Sequence, residues 1–185
     1  MPAMRYAPVA LAVLGMALPR PALAGQPRAD HDVFTEVART VHLSSNYTIF
    51  DEVLVSVQDG VVLLTGRVTL PVKARDLEKR VSRVPGVRHV EARIGVLPVS
   101  SFDEDLRYRI ARAIYGNPNF WGYAAMATPP IHILVEHGHV RLTGVVSNDL
   151  DRMLARSLAS SFGAVSVRNE LRTDAEVREL REGLD

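Results

Sequence analysis

The feature that most constrains this chain is an internal repeat. The segment DGVVLLTGRV, residues 59–68, returns as HGHVRLTGVV at residues 137–146, which is 78 positions later. A motif that recurs at long, fixed spacing indicates one structural unit built twice. The chain has 185 residues, of which 47% are apolar and 23% are charged, so it has a globular composition and room for two small units.

Each copy predicts a β-hairpin. Apolar residues alternate with other residues on both sides of the pairs Asp59-Gly60 and His137-Gly138, and that period of two is typical of half-buried strands. A glycine between two such runs permits the positive φ that a tight hairpin turn requires. The alternating positions are Val53, Val55, Val57, Val62, Leu64 and Val68 in the first copy, and Ile131, Ile133, Val135, Val140, Leu142 and Val146 in the second.

Each hairpin is flanked by helical patterns. The helix before it is indicated by Val33, Val37 and Val41 in the first copy and by Leu106, Ile110 and Ile114 in the second, where Ser101 to Glu104 read as a capping box. The helix after it is predicted to bury Ala74, Leu77, Val81 and Val84 in one copy and Leu150, Leu154, Leu158 and Phe162 in the other. These later helices are expected to end at Pro85-Gly86 and at Gly163, and a short alternating run then begins at Val87 and at Val165.

The element order predicts an α+β fold of two repeated α-β-β-α-β modules. A helix joins the second and third strands, so these strands run parallel, whereas the hairpin is antiparallel. Each module is therefore a three-stranded mixed sheet with two helices on one face. We expect the helices to pack over Gly66 and Gly144, and the outer sheet faces to join the modules through Leu54, Leu63, Leu134 and Val145.

The first 24 residues predict a cleaved signal peptide, with Arg5, the apolar run 7–18 and the small-residue pattern that ends at Ala24. About 12 apolar residues are too few to span a bilayer, which needs about 20. We therefore expect a first module at 25–98, a second at 99–173 and a tail at 174–185 with a short helix through Val177 and Leu180. Loss of Arg5 and Arg20 leaves 20 basic against 21 acidic residues, a net charge of −1 that argues against a nucleic-acid binder.

The repeated segments resemble the BON domain family. The resemblance rests on Leu-Thr-Gly-x-Val after the hairpin, an amphipathic helix and a Gly-Val-x-x-Val strand, and it covers nearly all of residues 30–173 twice. It implies a tandem protein of the bacterial periplasm that associates with phospholipid membranes or protects envelope proteins under stress. The second copy departs at 163–165, where Gly-Ala-Val replaces Pro-Gly-Val, and it has a longer loop before its hairpin.

Sequence motifs give no case for an enzyme, a metal or a cofactor. The chain has no cysteine, so it has neither disulfides nor thiolate ligands nor an acceptor for a lipoprotein anchor. His137 and His139 lie at the i, i+2 spacing that places both on one strand face, but no third ligand accompanies them. A structural or solvent-exposed role is the simpler interpretation, and a metal-dependent enzyme is the alternative.

A basic stripe on the second helix of the first copy is the first candidate binding surface. Charged helix faces are commonly only solvated, and Asp76 is placed to pair with Arg80 at i, i+4. The functional alternative is attraction to anionic phospholipid head groups, worth about 1 kcal/mol per basic residue near the surface. The candidate residues are Lys73, Arg75, Lys79, Arg80, Arg83 and Arg88.

The second candidate surface is the loop YGNPNFWGYAAMATPP, residues 115–130. It holds the only tryptophan of the chain and three further large side chains, and long loops of this kind are commonly functional. The alternative is a lid folded over the core of its own module. The candidate contact residues are Phe120, Trp121, Tyr123 and Met126.

Together with what the resemblance implies, the candidate surfaces lead us to expect a non-catalytic envelope protein that binds anionic phospholipid surfaces. The alternative is a periplasmic chaperone or assembly factor that binds client proteins. Lipid species, client and oligomeric state stay open at this stage.

Overall fold

The computed structural model of the protein describes residues 29–182, so the predicted signal peptide lies outside the described residues. The elements of the first module are α1 (Asp30–His42), β1 (Glu52–Gln58), β2 (Val61–Val68), α2 (Pro71–Val81) and β3 (His89–Val96). Those of the second are α3 (Ser101–Tyr115), α4 (Trp121–Ala124), β4 (Ile131–Glu136), β5 (His139–Val146), α5 (Asp149–Ala159) and β6 (Ser166–Thr173). Helix α6 (Asp174–Glu182) follows and contains the helix predicted for the tail.

The two modules have the same sheet topology, as the repeat predicts. The strand orders are β1-β2-β3 and β4-β5-β6, and each sheet has one antiparallel and one parallel pair. Both helices of a module pack on one face of its sheet, because a three-stranded sheet has one apolar face to bury. The predicted α+β architecture is confirmed.

The core of the first module follows the predicted apolar stripes. The three valines of α1 are fully buried against Leu64, Leu77 and Val81. Helix α2 ends at Val81, four residues before Pro85, because Ser82 to Val84 form turns rather than another helical turn.

The core of the second module differs from the prediction at α5. Leu150 was expected to be buried, but its side chain is 77% exposed, and α5 instead buries Ala155 and Ala159. Alanine on the buried face allows a close helix–sheet approach, and aromatic side chains from residues 115–130 fill part of the remaining space. Leu154, Leu158 and Phe162 are partly buried against this core, as predicted, so the prediction is wrong only at Leu150 in the first turn of the helix.

Both hairpin turns are held by a carboxylate from the start of the module's first helix. Asp30 accepts the backbone N–H groups of Asp59 and Gly60 at 2.6 and 2.8 Å. Asp103 accepts those of His137 and Gly138 at 2.9 and 2.7 Å. Asp59 and His137 have φ near +50°, so these bonds help to hold a backbone conformation that is costly for residues other than glycine.

Gly66 and Gly144 are required by a backbone contact different from the predicted one. Their φ angles are +131° and +114°, and an added Cβ would collide with the carbonyl oxygens of Glu52 and Pro130. The neighbour is thus the chain at the start of the hairpin's first strand, not a helix. These are fold residues, but for a different physical reason.

The start of α3 also differs by one residue from the predicted capping box. Ser100, not Ser101, is the N-cap, and its hydroxyl accepts the backbone N–H of Asp103 at 3.2 Å. Asp103 is thus at N3, and its carboxylate binds the hairpin turn.

The modules are joined mainly by the segment between α1 and β1. Ile49 and Phe50 pack against the second core, and the Ile49 carbonyl accepts the backbone N–H of Ile133 at 2.7 Å. Two ion pairs add to the joint, Glu52–Arg141 at 2.8 Å and Arg67–Glu136 at 3.8 Å. Of the residues predicted to join the outer sheet faces, Leu134 is buried, whereas Leu54 is 59% exposed and lines an open groove.

Candidate functional site

Three of the predicted basic residues converge on one surface hollow. Arg75 and Lys79 extend from successive turns of α2, and Arg88 lies at the approach to β3. Together with Glu78 and Val90 they line an open hollow of about 440 Å³. Three cations against one acid give this hollow a net positive charge suited to an anionic group.

Arg88 is also oriented by the hairpin turn of its own module. One guanidinium nitrogen donates to the Asp59 carbonyl oxygen, and the Arg88 backbone N–H donates to the Gly60 carbonyl oxygen at 2.8 Å. The side chain is therefore positioned by the turn while it stays exposed to solvent.

Lys73 does not belong to this surface. It is 8% exposed, and its ammonium group donates to the Asp51 carboxylate at 2.6 Å. Burial alone would raise the pKa of Asp51, but hydrogen bonds from Lys73, Thr48 and Thr69 hold the pKa below its ordinary value. The placement of Lys73 in the exposed stripe was wrong, because helical spacing does not reveal a partner from a distant loop.

Arg80 and Arg83 are exposed but differ in their surroundings. Arg80 pairs with Asp76 at 2.7 Å, as the i, i+4 spacing predicts. Arg83 lies in the turn after α2, where its backbone N–H donates to the Arg80 carbonyl oxygen at 3.2 Å. The charge of Arg80 is thus partly neutralised, and the hollow depends on Arg75, Lys79 and Arg88.

The aromatic loop is divided between core and surface. Phe120 is fully buried and Tyr123 is nearly so, with their rings 5.8 Å apart, and both belong to the second core. These two were predicted as contact residues, and the structure instead gives them the lid role that was the alternative.

Tyr123 also ties the loop to the start of α5. Its hydroxyl lies 2.6 Å from the Asp151 carboxylate and accepts the Ser147 backbone N–H at 2.7 Å. Burial, followed by the hydrogen bond to Asp151, raises the pKa of Tyr123, so the phenol stays protonated and can donate.

Trp121 and Met126 remain exposed, at 61% and 50%. Two large side chains of α5, Leu150 and Met153, are also exposed, and Leu150 adjoins the Asp151 that binds Tyr123. The second module therefore leaves four large apolar side chains exposed, two in the loop 115–130 and two on α5.

The two histidines at i, i+2 lie in and beside the second hairpin turn. His137 lies in the hairpin turn, and the Nδ1 atom of His139 is 2.8 Å from the Ser166 hydroxyl. Within residues 29–182, no group of three or more histidine, aspartate or glutamate side chains is placed to hold a metal ion. His132 instead lies at the joint between the modules, with its ring 5.5 Å from that of Tyr47, and burial lowers its pKa.

Two sets of contacts were not predicted from the sequence. The first set is the turn contacts of Asp30 and Asp103, and the second is the contacts made by Asp51 and Tyr123. A signal for the first was present, because Asp-x-Asp precedes Val33 in one copy and Leu106 in the other. No comparable signal exists for the second, since Asp51 and Tyr123 do not occupy equivalent positions in the repeat.

The family model for the BON domain matches residues 32–98 and residues 103–175. The chain belongs to the BON domain family. The two matches cover most of the chain and agree with the tandem modules seen in the fold.

Among solved structures, the chain is similar to CdsD, a structural protein of the type III secretion system of Chlamydia trachomatis. The identity is 14%, the match covers 81% of this chain and 97% of that one, and the TM-score is 0.28. The C-terminal domain of CdsD also matches, at 14% identity, 80% and 98% coverage and a TM-score of 0.25. Likeness at these TM-scores supports no inference about function, and no curated protein matches the chain significantly.

The helices of residues 29–182 are too short or too polar to cross a bilayer.

Proposed function

We propose that this BON-family protein is a non-catalytic binding protein of the bacterial periplasm whose first module docks on anionic phospholipid surfaces. The observation that carries the proposal is the hollow of about 440 Å³ between Arg75, Lys79 and Arg88. Export follows from the predicted signal peptide with cleavage after Ala24, and envelope association agrees with what the family suggests.

A hollow lined by basic side chains suits a phosphate group better than a flat basic surface would. Guanidinium groups bind phosphate oxygens through paired hydrogen bonds, and Lys79 adds a third positive charge on the same side. At about 1 kcal/mol per basic residue near an anionic surface, three such groups supply about 3 kcal/mol. Val72 is exposed on the same face of α2, one turn before Arg75, and can enter the head-group region.

Co-sedimentation with vesicles tests this proposal. Vesicles with and without anionic phospholipid are compared for the wild type and for the double variant Arg75→Glu with Lys79→Glu. We expect the wild type to bind only anionic vesicles, the binding to weaken as salt screens the charges, and the variant to lose it.

A matched control separates a specific surface from net charge. Arg112→Glu with Arg156→Glu makes the same charge change on exposed residues of α3 and α5. Equal loss in both double variants would attribute binding to overall charge, and retained binding by the Arg75/Lys79 variant would refute the proposal.

The alternative function is binding of client proteins in the envelope. It is favoured by the exposure of Trp121, Leu150 and Met153 in the second module, since large exposed apolar side chains commonly mark interaction sites. Suppression of aggregation of a thermally unfolding model enzyme is the appropriate assay. Loss on Trp121→Ala but not on the control Phe34→Ala would favour this function over lipid binding.

A further inference from the structure

Strand β4 lies at an edge of its sheet, yet its outward main-chain groups are covered. At the start of the strand, the Ile131 N–H donates to the Tyr115 hydroxyl at 3.2 Å. In the middle, the Ile133 N–H donates to the Ile49 carbonyl oxygen at 2.7 Å, and Ile49 belongs to the first module. The protein therefore already uses a main-chain hydrogen bond at a strand edge to join one module to the next.

Arg107 covers the end of the same edge. Its guanidinium donates to the Val135 carbonyl oxygen at 2.8 Å, and the residue is buried. Asp30 and Asp103, which bind equivalent turns, lie 73 positions apart, and the same offset places Phe34 at the position of Arg107. A phenylalanine side chain cannot donate to a carbonyl oxygen, so the first module lacks this cover.

Strand β1 is the equivalent edge of the first module, and it is open over a short stretch. The Val53 N–H donates to the Tyr47 hydroxyl at 3.3 Å, so the odd-numbered residues of β1 point their main-chain groups away from β2. Among residues 29–182, the outward groups of Val55 and Val57 have no hydrogen-bond partner. Phe34, which the repeat places beside Val57, is 42% exposed.

The open edge also lacks the features that commonly protect an edge strand. Residues 53–58 read VLVSVQ, with no charge and no proline, and the register with β2 runs without a bulge. Glu52, the charged residue that begins the strand, is paired with Arg141. An edge of this kind is suited to pairing with another strand.

The open stretch is complementary to itself. When two copies of β1 pair antiparallel about a two-fold axis at Ser56, Val55 of each copy lies opposite Val57 of the other. Each of these two pairs exchanges two main-chain hydrogen bonds, so four bonds satisfy every outward group of both open stretches. Ser56 is exposed and neutral, so no charge lies at the axis.

The ends of the open stretch favour a second copy over a longer extended chain. In this pairing the hairpin turn of one copy begins at Asp59, which lies opposite Val53 of the other copy. The added strand therefore turns away where Tyr47 already covers the edge. A chain that continued straight would meet the Tyr47 side chain.

We propose that β1 pairs with β1 of a second copy and joins two molecules in an antiparallel two-fold dimer. The axis is perpendicular to the sheets, so the two first modules form one six-stranded sheet with their helices on the same side. Phe34 of each copy lies beside the new strand pair. The dimer does not depend on lipid docking.

Sedimentation velocity of the full chain from about 1 μM to 1 mM tests the proposal. We expect a reversible monomer–dimer equilibrium without larger species, because a two-fold axis closes the assembly. Ser56→Lys and Ser56→Glu should each weaken dimerisation at least about fivefold, because like charges then face each other across the axis. An equimolar mixture of the two variants should dimerise at least as well as the wild type, since opposite charges then meet.

The matched control is Ser161→Lys, which makes the same change at an exposed residue of the second module and should dimerise like the wild type. The variant Arg75→Glu with Lys79→Glu should also dimerise like the wild type. Failure of the lipid proposal is therefore distinguishable from failure of this one.

Phe34→Arg gives the first module the residue that covers β4 in the second. We expect its guanidinium to bind the Val57 carbonyl oxygen and to weaken dimerisation at least about tenfold, since the symmetry removes a hydrogen bond in both copies. Phe34→Leu keeps the edge open and should dimerise like the wild type. Thermal unfolding followed by circular dichroism should show that Phe34→Arg is at least as stable as the wild type, which separates edge protection from unfolding.

The proposal is overturned if the wild type stays monomeric to about 1 mM, in which case the edge serves another strand or none. It is equally overturned if the mixture of Ser56→Lys and Ser56→Glu dimerises no better than either variant alone. Undiminished dimerisation of Phe34→Arg, or a loss in Ser161→Lys as large as that in Ser56→Lys, would also contradict it.

Discussion

Helices α2 and α5 occupy equivalent positions in the two modules, yet their solvent-facing sides differ. At positions 78 apart, Arg75 and Lys79 of α2 correspond to Met153 and Ser157 of α5. Both helices have 11 residues and both cover a three-stranded sheet, so the difference is not needed for the fold. The buried positions Leu77 and Val81 correspond to the buried Ala155 and Ala159, whereas the exposed cations of α2 have no counterpart on α5.

The two modules also differ in the contact that holds the start of α2 or of α5. In the first module a buried carboxylate from the loop, Asp51, binds Lys73 on α2. In the second, Asp151 corresponds to Lys73, and the loop supplies the Tyr123 hydroxyl instead. In the first module the loop supplies the carboxylate and the helix supplies a cation. In the second module the helix supplies the carboxylate and the loop supplies a neutral phenol.

The largest loss in the free energy of unfolding is expected from Asp51→Ala. The change leaves the Lys73 ammonium buried without its partner, which costs about 3–5 kcal/mol of the free energy of unfolding. Urea denaturation followed by circular dichroism measures this loss. The double variant Asp51→Ala with Lys73→Met removes both charges and should cost less, and a loss below about 1 kcal/mol for Asp51→Ala would contradict the buried ion pair.

In the second module we expect a smaller loss from Tyr123→Phe. The variant keeps the ring in the core but leaves the Ser147 backbone N–H and the Asp151 carboxylate without the hydroxyl, which costs about 1–3 kcal/mol. Tyr108→Phe on exposed α3 is the matched control and should change stability by less than about 0.5 kcal/mol. Equal effects of the two changes would mean that the hydroxyl of Tyr123 does not hold the loop.

The pH dependence distinguishes the two arrangements further. The folded-state pKa of Asp51 lies below its ordinary value of 3.8, so its stabilising contribution is present above that value and is lost as pH falls through the folded-state pKa. The stability difference between wild type and Asp51→Asn should therefore shrink in acid. The folded-state pKa of Tyr123 is raised instead of lowered. Its contribution to the free energy of unfolding is therefore present below its ordinary pKa of 10 and is lost in strong alkali.

Urea unfolding of wild type, Asp51→Asn and Tyr123→Phe over a pH series measures both trends. A difference for Asp51→Asn that stays constant through acid would contradict the lowered pKa of the carboxyl.

The repeat was sufficient to predict the element order, the strand directions and the valine stripe of α1, because these depend on local periodicity. It was not sufficient for Lys73 and Leu150, whose burial depends on which residues approach from outside the helix. Lys73 is buried by a loop carboxylate 22 positions away, and Leu150 is exposed in the first turn of α5 although Leu154 and Leu158 of the same stripe pack against the core. Of the candidate site, the sequence predicted Arg75, Lys79 and Arg88, but their convergence on one hollow needed the position of β3 relative to α2.

The central claim is that the first module, through α2, contacts the anionic surface. A reciprocal exchange of exposed residues between α2 and α5 tests this claim most directly. One variant carries Arg75→Met with Lys79→Ser, which gives α2 the residues of α5, and the other carries Met153→Arg with Ser157→Lys. Both are compared with the wild type by co-sedimentation with anionic phospholipid vesicles. We predict that the first loses affinity about 30-fold, from two basic residues at about 1 kcal/mol each, and that the second binds at least as well as the wild type. Unchanged binding by the first variant would contradict the assignment of the anionic surface to the first module.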